Sequence, residues 1–419
     1  DAINKQMALA KIIPQTQGQK LEMRIPNPSR LCNACYKDEY GDETTKLCET
    51  CGNALSISRQ LSFKRKYEIG FVLNNQRIIP KEFLESSPED AVTYAMEIIA
   101  GSKAPPGEEE LPNIAVVKGD GDSMGDFFSR AINLTDALER SFRVEMAMKK
   151  AYEKCLTHLL NKNDSQNVCR IFLGTIYMGG DDFLIFSPSF ISLPLAYTIS
   201  SEFREQMAGK CSLSTGVVSV PPKHNIWQAI DAASAMLQAA KKVSRIEKTA
   251  YICFDALDTG VLSGEVASTR LAKERSLGLS IRPLPIELKA DKISLVSLLE
   301  LLGYSRDAAF PDSLFSWVKR FRPDTVPDSE LEELRQVRRV VVEVLQAVKS
   351  RLEDWGEAQK REALTLATIY LARQANRSKK GSARLYEMLK NILLRSYADQ
   401  QSPLIDLDKA AKIVGGGMI

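Results

Sequence analysis

Residues 171–186 read IFLGTIYMGGDDFLIF, two apolar runs around the tetrapeptide Gly179-Gly180-Asp181-Asp182. Apolar, β-rich runs on both sides of a short turn that contains glycine are typical of a β-hairpin. Two adjacent carboxylates at the tip of a hairpin repel each other unless a cation neutralises them. A divalent metal ion is a common partner, and glycines let a phosphate approach the backbone. Because Gly and Asp are also ordinary turn residues, a plain turn is the alternative interpretation of this stretch.

A second acidic stretch lies upstream of the hairpin. Residues 113–118 (NIAVVK) predict a buried strand that runs into Gly119-Asp120-Gly121-Asp122. Acidic residues at the C-terminal end of a strand that is followed by a helix occupy a place where many sheet-based enzymes put their active site. The pairing of this stretch with the hairpin makes a metal site the favoured interpretation of both.

The segments around these motifs predict an α+β domain. Helices are expected over 134–160, 193–208 and 227–243, and further strands over 213–220 and 250–254. With the first strand and the hairpin, this order is βαββαβ plus one strand, a ferredoxin-like plan. In such a sheet the first strand and the hairpin can lie side by side, so Asp120, with Asp122 as a further candidate, is expected to face Asp181 and Asp182. Clustered carboxylates with no His nearby favour Mg²⁺ or Mn²⁺ over Zn²⁺.

The combination of motifs resembles a known protein family. A strand that leads into Asp-Gly-Asp-x-Met-Gly (residues 120–125), followed by a Gly-Gly-Asp-Asp hairpin, is similar to the cyclase-type Palm domain in the large subunit of type III CRISPR effector complexes. The best-matched part covers about residues 111–257. The resemblance implies that the Palm converts ATP into cyclic oligoadenylates when the complex binds target RNA. It also implies that guide RNA, target RNA and the other subunits of the complex are partners, and the domain order favours a Cmr-type complex.

The resemblance assigns catalytic and metal-binding roles to the acidic residues. Asp120, Asp181 and Asp182 match the acids that bind two Mg²⁺ or Mn²⁺ ions in the family, and the carbonyl of Gly121 is a further candidate ligand. In this chemistry a 3′-hydroxyl attacks the α-phosphorus of a second ATP and pyrophosphate leaves. One ion lowers the pKa of the hydroxyl, and the other neutralises charge on the triphosphate.

The residues that we expect to contact the nucleotide come from three parts of the Palm. They are Gly121, Asp122, Gly179, Gly180, Lys241 and Lys242. The hairpin glycines would leave room for the nucleotide. The two lysines stand late on a helix, before the final strand, where cyclase-like Palms present a lysine that binds phosphate. A solvated helix face is the alternative interpretation of either lysine taken singly.

Two Cys-x-x-Cys pairs near the start of the chain predict a structural zinc site. Cys32 and Cys35 form the first pair, and Cys48 and Cys51 follow after twelve residues. Four thiolates in two such pairs can close a tetrahedral Zn²⁺ site. A disulfide or a redox motif is the alternative, which the matched pairs disfavour. The other cysteines are scattered in apolar surroundings, as expected for reduced core residues of an intracellular protein.

Length and composition indicate a cytoplasmic protein of several domains. The chain has 419 residues with a formal net charge of +3, which does not by itself point to nucleic-acid binding, and no apolar run reaches the length of a membrane span. The expected domains are a zinc-binding region at 1–110 that could retain part of a first Palm-like domain, the Palm at 111–257, a linker at 258–284 and a helical domain at 285–419.

The C-terminal domain is predicted to be helical from its apolar periodicity. Helices are expected over about 334–345, 363–375 and 383–397. A basic run connects the last two and comprises Arg373, Arg377, Lys379, Lys380 and Arg384. A solvated loop is the favoured interpretation of this run, and contact with an RNA backbone or with a neighbouring subunit is the alternative.

The histidine count excludes one activity that many large subunits of the family carry. The chain has 2 histidines, His158 and His224, and neither is followed by Asp, so no HD-type nuclease is expected in it. Beside a cyclic oligoadenylate synthase, two hypotheses stay open. One is a scaffold subunit with an idle Palm, and the other is a diguanylate cyclase. The Gly-Gly-Asp-Asp turn, the zinc module and the helical tail disfavour the cyclase.

Overall fold

The computed structural model describes part of the chain. The described residues are 28–32, 39–41, 43–44, 46–49, 51–52, 71–73, 76–78, 95–101, 112–161, 165–257, 262–276, 278–287, 292–302, 339, 342–343 and 403–415. The chain separates into two compact units, residues 1–69 and residues 70–419. The predicted helices between 334 and 397, the basic run from Arg373 to Arg384 and Cys35 lie outside the described residues.

The first unit contains little regular structure in its described part. A 3₁₀ turn covers Pro28–Arg30, and an isolated antiparallel bridge joins Leu31 to Glu39. Cys32 and Cys48 are buried.

The second unit contains the other named helices and strands of the described residues. In chain order they are β1 (Phe71–Leu73), β2 (Gln76–Ile78), α1 (Ala95–Ala100), β3 (Ile114–Asp122), α2 (Met124–Ser129), α3 (Leu134–Asn161), α4 (Ser165–Gly174), β4 (Thr175–Gly179), β5 (Asp182–Pro188), α5 (Ser189–Gln206), β6 (Ser212–Val220), α6 (Ile226–Glu247), β7 (Tyr251–Ala256), α7 (Gly264–Ser276), β8 (Leu284–Pro285), α8 (Leu295–Leu301) and α9 (Leu404–Val414).

A six-stranded sheet with the order β4-β5-β3-β6-β7-β8 forms the framework of this unit. The central strand β3 pairs antiparallel with β5 on one side and with β6 on the other. Strands β6 and β7 are parallel and are joined by α6, which is the crossover that a parallel pair requires. The ferredoxin-like arrangement with one further strand is therefore confirmed, and a short antiparallel strand, β8, extends it.

Close packing of α6 on the sheet fixes the position of the helix relative to the central strands. Every residue of β6 is buried, as expected for a strand that is covered on both faces. A Cβ atom at Gly216 would lie 2.2 Å from the carbonyl oxygen of Ala233 on α6, so only glycine permits this approach. Asn225 caps the helix by accepting hydrogen bonds from the backbone N–H groups of Trp227 and Gln228.

Several predicted boundaries differ from the structure, among them the start of α5, which was expected at residue 193 and lies at Ser189. The first arm of the hairpin was expected to begin at Ile171, but α4 extends to Gly174 and β4 starts only at Thr175. A short apolar run fits a buried helix as well as a strand, and Val168 and Ile171 are buried at helical spacing. The segment 258–284, expected to be a linker, contains α7 and the start of β8. The segment has few apolar residues, so no helix was predicted in it, and α7 buries only one narrow face.

The described C-terminal helix α9 is joined to the sheet by buried charges. Arg282 is 0% exposed, and its Nε lies 2.6 Å from Oδ1 of Asp406 on α9. The same guanidinium contacts Glu274 on α7 and the backbone carbonyl of Phe254 on β7. Lys409 of α9 pairs with Asp255 on β7. None of the described helices combines the length and the apolar character needed to span a membrane.

Candidate active site

The two acidic motifs meet on neighbouring strands. In the pairing of β3 with β5, Asp120 lies directly opposite Asp182, and on its other side Asp120 lies opposite Ser214 of β6. The backbone N–H of Gly121 donates a hydrogen bond of 2.9 Å to the carbonyl of Asp181, which fixes the turn against β3. The structure thus brings Asp120, Asp181 and Asp182 to one edge of the sheet, because the antiparallel register aligns the end of β3 with the hairpin tip.

Glycines make this close approach possible. Gly180 has φ of +59°, a left-handed conformation that side chains with a Cβ atom disfavour. A Cβ atom at Gly121 would lie 2.7 Å from Oδ2 of Asp181 and 2.7 Å from Cε of Met124, so the acid of the turn packs against a bare backbone. At Gly179, in contrast, a Cβ atom would meet nothing within 4 Å. The floor of the turn is therefore open on the side of Gly179.

The hairpin carboxylates are held in unfavourable surroundings for negative charge. Burial raises the pKa of Asp181 above its usual value, and the charges of Asp120 and Asp182 raise it further. Burial likewise raises the pKa of Asp182, and the charge of Asp120 adds to the effect. Oδ1 of Asp182 is buried and accepts no hydrogen bond from the described residues. Oxygen atoms of this kind are suited to a hard divalent cation.

Tyr177 contacts the site although sequence reasoning did not select it. Its hydroxyl donates a hydrogen bond of 3.1 Å to Oδ2 of Asp182. Burial, together with the charge of Asp182, raises the pKa of Tyr177 to about 12, so the hydroxyl stays protonated and remains a donor. The position depends on an irregularity in the β4–β5 pairing between Thr175 and Tyr177. No sequence pattern predicts that shift.

Asp122 has different surroundings from the other three acids. It is 4% exposed, and its Oδ2 accepts hydrogen bonds from the hydroxyls of Ser212 (2.9 Å) and Ser214 (2.7 Å) on β6. Its Oδ1 is buried with no partner among the described residues. Burial raises the pKa of Asp122 although both serine hydrogen bonds oppose the shift. Asp122 therefore belongs to the wall of the site next to β6 rather than to the hairpin.

The structure distinguishes the two candidate lysines. Nζ of Lys241 contacts the carboxylate of Asp120 and donates a hydrogen bond of 3.0 Å to the carbonyl of Gly121. Lys242 is exposed, and within the described part of the chain it makes no ion pair and no hydrogen bond through its side chain. Since residues one apart on a helix point in different directions, only Lys241 faces the acids.

A basic cavity of about 510 Å³ opens beside Asp122. Its volume falls within the usual range of small-molecule sites, about 300–1,000 Å³. Its cationic lining consists of Arg130, Arg140, Arg204, Lys210 and Lys248. Arg140 is held by Asp136 and Arg204 by Glu287, whereas no ion pair involves Arg130, Lys210 or Lys248 in the described structure. These five residues come from five separate elements or loops, which explains why the sequence alone did not group them.

The carboxylates of Asp120, Asp181 and Asp182 suit divalent ions, although their oxygen atoms do not form a compact set of ligands. Among the described residues, the three thiols of Cys32, Cys48 and Cys51 are the one group of three or more His, Cys, Asp or Glu whose ligand atoms all lie within 4.8 Å of one another. The oxygen atoms of Asp120, Asp181 and Asp182 are spread more widely. Their donor type and the unpartnered Oδ1 of Asp182 nevertheless match the preference of Mg²⁺ and Mn²⁺ for oxygen.

The cysteine cluster has the arrangement expected of a zinc knuckle. Cys32 and Cys48 are buried, Cys51 is half-buried, and none of them forms a disulfide. The backbone N–H of Cys51 lies 3.5 Å from Sγ of Cys48, which is the usual way in which a Cys-x-x-Cys turn supports its first thiolate. The disulfide alternative is thus disfavoured for these three thiols. Cys35, the predicted fourth ligand, lies outside the described residues.

One family model matches the part of the chain that carries the clustered acids. Residues 113–250 match the model of the second palm domain of Cas10/Cmr2. No curated protein sequence matches the chain. Similar solved structures include a Csm1–Csm4 cassette in complex with cA3 (14% identity, 76% of this chain, 39% of that chain, TM-score 0.42) and one in complex with one ATP (14%, 73%, 36%, 0.42). Csm1 in T. onnurineus is also similar (15% identity, 76% of this chain, 41% of that chain, TM-score 0.41). This chain spans about two-fifths of the length of these solved chains.

Proposed function

We propose that this chain, whose residues 113–250 match the model of the second palm domain of Cas10/Cmr2, joins ATP molecules into cyclic oligoadenylates by two-metal nucleotidyl transfer. In this proposal it acts as the large subunit of an RNA-guided type III CRISPR complex. Guide RNA, target RNA and the neighbouring subunits are its partners, and the binding of target RNA turns the reaction on.

The observation that carries the proposal is the placement of Asp120 opposite Asp182, with Asp181 in the adjoining turn. Three carboxylates at the edge of a sheet are costly to ionise together, as the raised pKa values of Asp181 and Asp182 indicate. Such an arrangement is retained in enzymes that hold divalent ions on a phosphate substrate.

The protein groups have distinct roles in this reaction. Asp120, Asp181 and Asp182, with the carbonyl of Gly121 as a further ligand, would hold two Mg²⁺ or Mn²⁺ ions. When bound, such ions lower the pKa of an attacking hydroxyl and neutralise charge on the triphosphate. Tyr177 donates its hydroxyl proton to Asp182 in a hydrogen bond and so orients that carboxylate. The open floor at Gly179 leaves the backbone accessible to the nucleotide.

Nucleotide binding is supported by the cations around these acids. Lys241 reaches the centre of the site and can pair with a phosphate oxygen. The basic cavity beside Asp122 offers further positive charge and enough volume for part of a nucleotide. The unpartnered Oδ1 of Asp122 can accept a hydrogen bond from a hydroxyl or amino group of the ligand.

The cysteine cluster is proposed to bind one structural Zn²⁺. Cys32, Cys48 and Cys51 supply three thiolates within reach of one ion, and Cys35 is expected to complete the set. Removal of zinc with a chelator is then expected to unfold the first unit, because metal binding contributes directly to the folding free energy of small metal-bound units.

The experiment that tests the activity compares labelled ATP and GTP as substrates of the assembled complex, with and without target RNA. We expect an adenylate product from ATP alone. Replacement of Asp181 and Asp182 by alanine is expected to reduce its rate by about a thousandfold or more, since charge stabilisation at the reacting phosphate is lost. Glu265→Ala, an exposed acid on α7, is the control for loss of surface charge and is expected to leave the rate unchanged.

Two outcomes would contradict the proposal. Turnover of GTP without turnover of ATP would indicate a different cyclase. An assembled complex that binds target RNA normally but forms no product from either nucleotide would indicate a scaffold subunit.

A further inference from the structure

The ammonium group of Lys241 contacts the same two groups that are proposed to hold a metal ion. Its Nζ contacts the carboxylate of Asp120 and hydrogen bonds to the carbonyl oxygen of Gly121 at 3.0 Å. The Lys241 side chain is 12% exposed, so the pair is shielded from solvent more than a surface ion pair is. A carboxylate and a carbonyl oxygen around one cation are also what Mg²⁺ and Mn²⁺ seek in proteins.

Neighbouring cations do not share this position. Lys118 on β3 hydrogen bonds to the hydroxyl of Ser234 at 3.2 Å, and Lys242 is exposed on α6. Within the described residues, Lys241 is therefore the cation that neutralises Asp120. Because Gly216 allows α6 to lie directly on β6, the helix holds the lysine over the end of β3.

We propose that Lys241 is an internal cation that competes with the metal ion for Asp120, and that a nucleotide triphosphate relieves this competition by drawing the ammonium to its phosphates. An ammonium group and a divalent ion cannot occupy the same position, so an ion that binds alone must first break the pair. A triphosphate offers Lys241 another anionic partner, so metal and nucleotide bind more tightly together than either binds alone. The inference rests on the proposed function only in taking a nucleoside triphosphate as the ligand.

The direct test measures Mn²⁺ binding to the full chain without nucleotide. The zinc-loaded protein is titrated with Mn²⁺, and the free ion is followed by electron paramagnetic resonance. Lys241→Met keeps the length of the side chain but removes its charge, and we expect it to bind Mn²⁺ at least about fivefold more tightly than the wild type, because no ion pair has to be broken. Lys242→Met removes the same charge one residue away and is expected to change the affinity less than twofold.

The second arm repeats the titration with an ATP analogue that cannot release pyrophosphate. In the wild type, the analogue is expected to strengthen Mn²⁺ binding by a larger factor than in Lys241→Met, since only the wild type has a competing ammonium to remove. The factor for the wild type divided by the factor for Lys241→Met measures how much Lys241 couples the two ligands. By linkage, the same ratio is expected when the affinity for the analogue is measured with and without Mn²⁺.

Equal Mn²⁺ affinities of the wild type and Lys241→Met in the absence of nucleotide would overturn the proposal. An equal strengthening by the analogue in both proteins would also overturn it. Thermal unfolding verifies that the variant is folded, and Lys241→Gln is a second variant that must show the same direction of change. Neither arm requires product formation, so a failed synthase assay leaves this test intact. Asp120→Asn identifies the site, and unchanged Mn²⁺ binding in that variant would overturn the proposed metal site itself.

Discussion

At the scale of single residues, the hydroxyl of Tyr177 is the contact that orients Asp182. It is the described side chain that donates a hydrogen bond to this carboxylate. Tyr177→Phe removes the hydroxyl and little else, and we expect it to weaken Mn²⁺ binding by about tenfold, as is usual when a partner of a metal ligand is lost. Electron paramagnetic resonance of free Mn²⁺ measures this. Tyr152→Phe on α3, which also removes a hydroxyl that is bonded within the domain to Thr175, should leave Mn²⁺ affinity unchanged. An equal loss of Mn²⁺ affinity in Tyr177→Phe and Tyr152→Phe would contradict a role specific to Tyr177.

The raised pKa of Asp181 predicts how stability depends on pH. An acid whose pKa is raised on folding destabilises the folded state once the pH exceeds its ordinary pKa of about 4, because the unfolded chain ionises more readily. This penalty increases until the pH passes the raised pKa of the folded state. Asp181→Asn is therefore expected to raise the melting temperature of the metal-free protein at pH 7, by about 1–3 °C. The gain should vanish below pH 4, and thermal unfolding across this range provides the measurement. An increase in melting temperature that does not change with pH would contradict the assignment of the effect to the charge of Asp181.

Sequence reasoning found the acids of the site but not all of their partners. Asp120, Asp181 and Asp182 were recognisable because adjacent carboxylates at a strand end and a glycine turn form a local pattern. Lys241 was selected from its place late on a helix, without any indication that it contacts Asp120. Tyr177 was missed because its position depends on the irregular register at Thr175, and register shifts of this kind are set by tertiary packing.

At the scale of secondary-structure elements, the join between β3 and the hairpin depends on Gly121. A Cβ atom there would overlap Oδ2 and Cβ of Asp181 and the end of Met124. Gly121→Ala is expected to move the turn away from β3 and to lower the melting temperature, with at least a tenfold loss of Mn²⁺ affinity. Gly125→Ala on α2 is the matched control, since a Cβ atom there meets nothing within 4 Å and alanine favours a helix. If both variants have the melting temperature and the Mn²⁺ affinity of the wild type, the close approach of the turn to Gly121 contributes neither to stability nor to metal binding.

The elements themselves were predictable where they were long and periodic. α3 and β6 were predicted within one residue of their observed bounds, because a long amphipathic helix and a strand rich in valine and small residues leave clear patterns. α4 was mistaken for part of a strand, because its short apolar run fits both periods. α7 was missed because it buries few residues, among them Ala267 and Leu271, and most of its surface is polar.

At the scale of the whole molecule, the buried Arg282 joins α9 to the sheet and to α7. Asp406→Ala would leave this guanidinium, which is 0% exposed, without its partner on α9. Removal of one partner of a buried ion pair usually costs about 3–5 kcal/mol, so we expect a large shift of the urea unfolding midpoint to lower concentration. Asp408→Ala breaks the more exposed pair with Lys412 on the same helix and should cost much less. Equal effects of the two variants would contradict a specific role of Arg282.

The connection through Arg282 also shows where sequence reasoning fails. Arg282 and Asp406 are separated by 124 positions, and neither lies in a recognisable motif. A buried charge pair at such a distance follows from the completed fold. The helices predicted from periodicity in the C-terminal region end at about residue 397, so α9 and its attachment to β7 both required the structure.

The central claim is that this palm joins ATP through Asp120, Asp181 and Asp182, and identification of the product tests it most directly. The assembled complex is incubated with ATP, Mn²⁺ and target RNA, and the products are separated and identified by mass spectrometry. We predict cyclic oligoadenylates and pyrophosphate from the wild type, and a rate of formation lower by about a thousandfold or more for the variant that lacks the carboxylates of Asp181 and Asp182. Cyclic oligoadenylates formed equally by that variant, or none formed by the wild type, would contradict the claim.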